Sequence, residues 1–210
     1  MADRWVTFDC YGTLIDWNGG LRAELARVFG EERADEQLER YHQLEPELEA
    51  DGTRSYREVL TEAMRGLGAP DGEEDALARS LPQWRPFPEV PQALAEAREQ
   101  GWSLAILSNT DRDYIDASIA RLGVPFELAI VASEIGSYKP ALGHWRAFEE
   151  RIGRAPDVHV AASLFHDIGP ANELGLPSVW INRLGERPGP EPTKEQSDLA
   201  NLAAALEAVV

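Results

Sequence analysis

The chain is poor in several things, and each shortage closes off a class of function. Cys10 is the only cysteine in 210 residues. No intrachain disulfide can form, which fits a reducing compartment, and the expected location is the cytoplasm. Positive charge is scarce: 20 Lys and Arg face 37 Asp and Glu, a formal net charge of −17. Nucleic acid is therefore excluded as an expected partner, because the cations that would neutralise phosphates are missing. Long apolar runs are also missing. None approaches the ~20 residues needed to span a bilayer, and the opening "MADRWVTFDC" has no apolar core of signal-peptide type. No membrane partner is expected. The four histidines, His42, His144, His159 and His166, have no zinc-like spacing with one another or with Cys10, so they read as scattered surface or core residues. A small anionic substrate stays admissible if its positive contacts are local. Assembly is left open, with a homodimer among the options.

What is present is a rhythm of short apolar runs and helical patterns. "VTF" runs into Asp9, and "WSLAILSN", "LAIVAS", "HVAAS" and "SVWIN" follow as strands at Trp102–Asn109, Leu128–Ser133, His159–Ser163 and Ser178–Asn182. Between them lie helical segments that stop at Gly101, Gly123 and Gly153. Continuous apolar strands alternating with helices predict an α/β fold, a Rossmann-like parallel sheet covered on both faces. Residues 17–85 break the rhythm with four helical faces and no strand. They are built on Leu21, Leu25, Val28 and Phe29; on Leu38, Tyr41, Leu44 and Leu48; on Tyr56 to Leu67; and on Leu77, Leu81 and Trp84. This predicts an inserted helical-bundle cap at 17–85 and a core domain formed by 1–16 and 86–210. The proline-rich "LPQWRPFPEVP" leads back to the sheet. "GERPGPEPTKE" reads as a loop and "QSDLANLAAALEAVV" as a last helix.

In an open parallel sheet, ligands bind beyond the carboxyl ends of the strands. Those ends supply Asp9, then Ser108 and Asn109, then Lys139 in "GSYKPALG", then Asp167 in "SLFHDIGPA". Asp9 is a candidate nucleophile, and an ammonium such as Lys139 within ~4–6 Å would keep it ionised. Ser108 and Asn109 offer neutral donors. Asp167 could anchor the lysine and orient a water. Taken singly, each of these residues reads as a cap or a strand end. Thr110 and Asp111 read as caps, and His144 and Trp145 as plain helix residues. The order Asp, Ser/Asn, Lys, Asp at successive strand ends is what points to one site. Trp17, Tyr41 and Trp84 are candidates for the inner face of the cap, with core packing the default for Trp84.

These segments resemble the four motifs of the haloacid dehalogenase superfamily: "FDCYGTL", "LSNT", "SYKP" and "SLFHD" in order. The resemblance spans essentially the whole chain and is closest to the 2-haloacid dehalogenase (type II) branch. It implies that Asp9 is the nucleophile and that Asp9, Lys139 and Asp167 form the catalytic set. Magnesium-dependent members carry a second Asp where this chain has Tyr11, and a metal-binding acid where it has Ala162. Both departures resemble the dehalogenase branch, which implies no metal and no cofactor. The implied reaction hydrolyses the carbon–halogen bond of small 2-haloalkanoic acids through an ester on Asp9. The main-chain N–H groups of Cys10 and Tyr11, with Ser108, would hold the substrate carboxylate. Asn109 and the cap arginine Arg40 would receive the halide, and Thr13 and Ser163 would support the site. The chain departs from the branch at Leu164, where an Asn is usual, at Trp145, where a Tyr is usual, and at His166, where an apolar wall is common. Two alternatives stay open: a magnesium-dependent small-molecule phosphatase with an altered metal site, and a catalytically inactive family member.

Overall fold

The protein is described from a computed structural model covering residues 4–50, 52–187 and 189–210. Met1–Asp3, at the head of the N-terminal reading, and Pro188, within the expected loop, lie outside the described residues.

Six parallel strands form one sheet in the order β3-β2-β1-β4-β5-β6. They are β1 (Arg4–Phe8), β2 (Trp102–Ser108), β3 (Leu128–Val131), β4 (Val158–Ala161), β5 (Ser178–Ile181) and β6 (Lys194–Gln196). The chain winds outward from β1 to β3, returns to β4 on the other side of β1, and winds outward again. The strand order therefore reverses at β1/β4, where such sheets open a crevice at their carboxyl ends. The central strands are buried on both faces, as their apolar sequences require. Along β2 the side chains alternate: Leu104 and Ile106 join one core cluster, while Ala105 and Leu107 join the other with Trp145 and Phe148.

Between β1 and α5 (Val90–Glu99) the described chain is helical. It contains α1 (Trp17–Phe29), α2 (Ala34–Glu49), α3 (Tyr56–Gly66) and α4 (Ala76–Ser80), with short 3-10 turns at Glu31–Arg33 and Leu81–Gln83. Asp16 accepts the Gly19 N–H at 2.9 Å to open α1. Ser55 and Glu58 form a reciprocal capping box at α3. The apolar faces meet inside, with Leu21, Leu25, Tyr41, Leu60, Met64 and Leu77 fully buried. Gly20 allows close packing here, since a Cβ on it would lie 2.4 Å from the Trp84 ring. The two connections to the sheet run side by side: Asp16 N–H donates to Arg85 O at 2.9 Å, and Phe87 N–H to Leu14 O at 3.1 Å.

The remaining helices are α6 (Arg112–Leu122), α7 (Ala132–Ile135), α8 (Gly143–Ile152), α9 (Gly169–Glu173) and α10 (Leu202–Glu207). Three expectations need correction. Ala132 and Ser133 open α7 rather than ending β3. Lys194–Gln196 is the edge strand β6 rather than loop; its side chains are polar, as suits an edge, so no apolar pattern marks it. The last helix is confined to Leu202–Glu207, where Leu202, Ala205 and Leu206 are buried.

Candidate active site

β1 ends at Phe8, and the chain turns through Gly12, whose φ of +87° is open to glycine. That turn presents Asp9 to the crevice. Lys139 Nζ reaches it from the loop between α7 and α8 and donates three hydrogen bonds. Its acceptors are Asp9 Oδ1 at 2.9 Å, Leu107 O at 2.9 Å and Asp167 Oδ1 at 2.7 Å. Lys139 is 2% exposed and Asp167 1%. The ammonium is therefore fully satisfied in a place where an unpaired charge would be very costly. Burial pulls the Lys139 ammonium down, but Asp167 and Asp9 outweigh it and hold its pKa above the ordinary value. Burial likewise pushes Asp167 up, and Lys139 and His159 overcome it, holding the carboxyl well below the carboxylate range.

The other oxygen of Asp9, Oδ2, accepts the Thr13 hydroxyl at 2.8 Å, and Thr13 Oγ1 accepts the Ala162 N–H at 2.9 Å. The nucleophile candidate is thus held at both oxygens and remains 9% exposed, toward a cavity of about 750 Å³. Ser108 lines this cavity with its hydroxyl buried and without a hydrogen-bond partner. Asn109 clamps the lysine backbone, donating to Lys139 O at 3.0 Å and accepting the Lys139 N–H at 2.7 Å. Its second amide N–H is not used in that clamp. The main-chain N–H groups of Cys10 and Tyr11 have no backbone acceptor among the described residues. The Cys10 thiol is buried in the core, and burial pushes its pKa up. The Tyr11 ring stacks with Tyr56, and its hydroxyl lies 3.0 Å from Ser118 Oγ. Ser163 Oγ accepts the His166 N–H at 3.0 Å and opens the π-helical turn Leu164–Ile168 that carries Asp167.

One expected site residue lies elsewhere. Arg40 is exposed on α2 and donates to Gly66 O at 3.3 Å, outside the cavity. The cause is helical phase. α2 lines the cavity with His42, Glu45, Pro46 and Glu49, spaced i, i+3, i+4, i+7. Arg40 precedes that stripe by two residues and so points about 200° away from His42. Asp111 stands at the N-cap position of α6, as expected, but its side chain makes no bond to that helix. Its buried carboxylate accepts the N–H groups of Tyr56 at 3.1 Å and Arg57 at 2.9 Å, capping α3. The Thr110 hydroxyl, expected to cap, has no hydrogen-bond partner. His144 is more than a helix residue, because its Nε2–H donates to Ser108 O at 3.0 Å. Burial, reinforced by Lys139, pushes its pKa down to about 3 and keeps it neutral. Trp17 lines the cavity and donates to Tyr56 Oη at 3.1 Å, Tyr41 is buried beneath, and Trp84 packs in the bundle.

His159, expected only as a scattered surface or core histidine, belongs to this cluster. It is fully buried on β4, with Nε2 3.0 Å from Asp167 Oδ1 and Nδ1 2.9 Å from Thr7 Oγ1. An ionised carboxylate only accepts, so Nε2 carries a proton and donates to Asp167 Oδ1, while the Thr7 hydroxyl also donates to Val158 O at 3.3 Å. Thr7 and His159 are register partners across β1 and β4. Two facing polar residues in apolar strands were the available signal. Leu164 lines the cavity, and Trp145 packs edge-on against His159 at 5.3 Å in the core.

The donor set does not suit magnesium, which asks for several oxygen ligands. Ala162 brings a methyl group where an acid would be needed. The Tyr11 hydroxyl is committed to Ser118, and both Asp9 oxygens are already engaged. No group of three or more His, Cys, Asp or Glu among the described residues is arranged to hold a metal ion.

At the sheet's switch point Asp9 is bridged by the buried Lys139 to Asp167, on a Rossmann-like α/β fold. Residues 4–162 match the family model for haloacid dehalogenase-like hydrolases, and the chain belongs to that family. It is 28% identical to (S)-2-haloacid dehalogenase 4A of Burkholderia cepacia, over 92% of this chain and 90% of the relative. It is 32% identical to a phosphoserine phosphatase of Thermus thermophilus, but over 64% of this chain and 55% of that protein. Its fold superposes on the L-2-haloacid dehalogenase of Xanthobacter autotrophicus with a TM-score of 0.82 at 23% identity, covering 99% and 100% of the two chains.

Proposed function

We propose that the protein hydrolyses the carbon–halogen bond of 2-haloalkanoic acids, with Asp9 as nucleophile and no metal. The observation that carries this is the state of Asp9: a carboxylate held at both oxygens, facing a cavity, with Lys139 bridging it to Asp167. The likeness to (S)-2-haloacid dehalogenases over nearly the whole chain supports it. Asp9 attacks the carbon bearing the halogen from the side opposite the leaving group. A carbon–oxygen bond forms, the halide leaves with the electron pair, and an ester remains on Asp9. Water then adds to the ester carbonyl carbon, releasing the 2-hydroxy acid and regenerating Asp9. One proton of the water passes to Asp167 and then to solvent, and the other goes to the departing alkoxide, so that Asp9 is left as a carboxylate. Asp167 Oδ1 is committed to Lys139 and His159, while Oδ2 is buried without a partner, so Oδ2 is the atom free to accept from that water. Lys139 balances the charge of both carboxylates throughout. The Cys10 and Tyr11 N–H groups with the Ser108 hydroxyl receive the substrate carboxylate, and the remaining Asn109 N–H faces the departing halide. Residues 17–85 act as a cap that keeps bulk water from the ester, over a core domain of 1–16 and 86–210.

Two measurements test this reading. Turnover of an (S)-2-haloacid in ¹⁸O-water should place the label on the Asp9 carboxylate, and direct attack by water on the substrate would leave Asp9 unlabelled. Asp9→Asn should retain its melting temperature and lose at least about a thousandfold in halide release. The likeness to the phosphoserine phosphatase favours a second reading, phosphomonoester hydrolysis. Phosphate release abolished by a chelator and restored by magnesium would replace the first reading with this one.

A further inference from the structure

The reaction above leaves a proton on Asp167, and the floor of the cavity gives that proton no direct exit. Asp167 is 1% exposed, and its Oδ1 is taken by Lys139 and His159. Against the pull of burial, those two partners hold the carboxyl well below the carboxylate range, so a proton resting there is costly. Ester hydrolysis is then best served by a second group, a better base than Asp167 and open to solvent.

Three of the four histidines do not qualify. His144 and His159 are fully buried, the first bound to Ser108 O and the second set between Asp167 and Thr7. His42 stands on the α2 wall with Nε2 2.9 Å from Asn18 Oδ1 and its ring stacked on Trp17. His166 is different. It immediately precedes Asp167 in the turn Leu164–Ile168, lines the same cavity and is only partly buried. The turn's other cavity-lining side chains, Leu164 and Phe165, are apolar, and the Phe165 ring packs edge-on to the imidazole at 4.9 Å. Ser163 Oγ accepts the His166 main-chain N–H at 3.0 Å and lies 3.2 Å from Nδ1. A hydroxyl oxygen has two lone pairs, enough for the main-chain N–H and a ring N–H together. Nε2 has no hydrogen-bond partner among the described residues.

The charges acting on this imidazole are Asp167 on its own turn, Lys139 from the α7–α8 loop and Asp9 at the end of β1. Asp16, His42, Glu45, Glu49, Arg183 and Glu186 line the rest of the cavity. Burial is the largest influence and draws the ring's pKa below its ordinary value, so the ring is a neutral acceptor at neutral pH. Once Asp9 is an ester it carries no charge, and one of the two carboxylates that pull the other way is gone.

We infer that His166 is the proton relay of ester hydrolysis: with its Nδ1–H on Ser163 Oγ, it accepts at Nε2, through a cavity water, the proton that Asp167 collects, and releases it to solvent. An N–H bond forms at Nε2 as the O–H bond on Asp167 breaks, and it breaks again when bulk water takes the proton. The relay rests on the proposed ester at Asp9. Rapid quenching and intact-mass measurement during turnover of (S)-2-bromopropanoate read ester formation and ester decay separately. In His166→Ala the ester should accumulate and decay at least about tenfold more slowly than in the wild type, with its formation rate within about twofold. The wild-type decay rate should rise with pH through a value below the ordinary ~6.5 of histidine. The variant should lose that rise, and added imidazole should restore its decay. His166→Gln, nearer in size and polarity, should behave in the same way if the alanine variant is unstable. Unchanged decay, an equal slowing of formation and decay, or a slowed decay that keeps the wild-type pH dependence and ignores imidazole would overturn the inference. No ester in the wild type would remove the dehalogenase reading and the relay with it. An ester that forms and decays alike in both proteins would remove the relay alone.

Discussion

At the floor of the cavity, Lys139 makes three hydrogen bonds of 2.9 Å or less, and both oxygens of Asp9 are engaged. On α2, which lines the same cavity, Glu49 has no ion pair among the described residues and Glu45 is held by tyrosine hydroxyls. The floor residues sit at strand ends and on the loops that leave them, so the sheet topology brings them together whatever the rest of the chain does. The wall residues sit on one helix, where a shift of one position turns a side chain by about 100°. Conserving charge balance in a buried place makes the floor rigid and specific. On the wall, burial raises both glutamate carboxyls, and at Glu49 the repulsion from Glu45 outweighs the opposing pull of Lys139 and Asn109.

The largest effect that would break this contrast is expected at Lys139. Lys139→Met leaves Asp9 and Asp167 facing each other in the interior without a cation. The loss should be about 3–5 kcal/mol, together with halide release. In thermal denaturation that is a fall of roughly 6–20 °C. The pH dependence has a definite sign. The Asp167 carboxyl is depressed in the folded state, so its contribution is present above the ordinary carboxylate value and is lost as pH falls through the folded one. In the variant the two carboxyls face each other without a cation, which raises them instead, so its deficit should shrink as they are protonated on lowering the pH toward about 4. An equal deficit at both ends of that range would mean that packing, rather than charge, is what Lys139 supplies.

His159 is next. His159→Leu removes one donor to Asp167 Oδ1 and leaves the Lys139 contact in place. The expected cost is about tenfold in kcat with little change in KM, because ester hydrolysis is slowed while ester formation is not. A burst of halide before a slower steady state would identify the step, and partial recovery in His159→Gln would show that the donated proton matters. A uniform fall in burst and steady state would assign His159 to packing alone.

These two residues also show what could be read from the chain. Asp9, Ser108, Lys139 and Asp167 were legible because they punctuate apolar strands or follow them in order. The four inner strands and the apolar edge strand β3 were legible for the same reason, and β6 was not, because a polar edge strand has no apolar period. His159 opens the run read as a strand at His159–Ser163 and, by spacing alone, is one of four scattered histidines. Its meaning depended on Thr7, 152 residues earlier, which only the β1–β4 register brings alongside. The wall was misread at Arg40, because a cationic side chain two residues from the correct helical stripe is chemically suitable and geometrically turned away.

A smaller effect is expected at Glu49. Its carboxyl is raised in the folded state by burial and then by Glu45, so the folded protein loses stability as pH rises from the ordinary carboxylate value through the raised one. Glu49→Gln should raise the melting temperature by a few degrees near pH 8 and leave it unchanged near about pH 4. A gain that persists at the lower pH would come from something other than the charge.

The smallest effect is expected at Arg40. Its guanidinium is exposed and bonds only the Gly66 carbonyl at 3.3 Å, among the contacts of the described residues. Arg40→Ala should change stability by no more than about 0.5 kcal/mol and leave the KM for haloacid and the rate of halide release as they are. The measurement is small but decisive for the wall. A substantial rise in KM would require α2 to turn by about 200° in the working enzyme, which would carry Glu45 and Glu49 out of the cavity. An unchanged KM leaves them where they stand, as the carboxyl groups that a substrate entering the cavity has to meet.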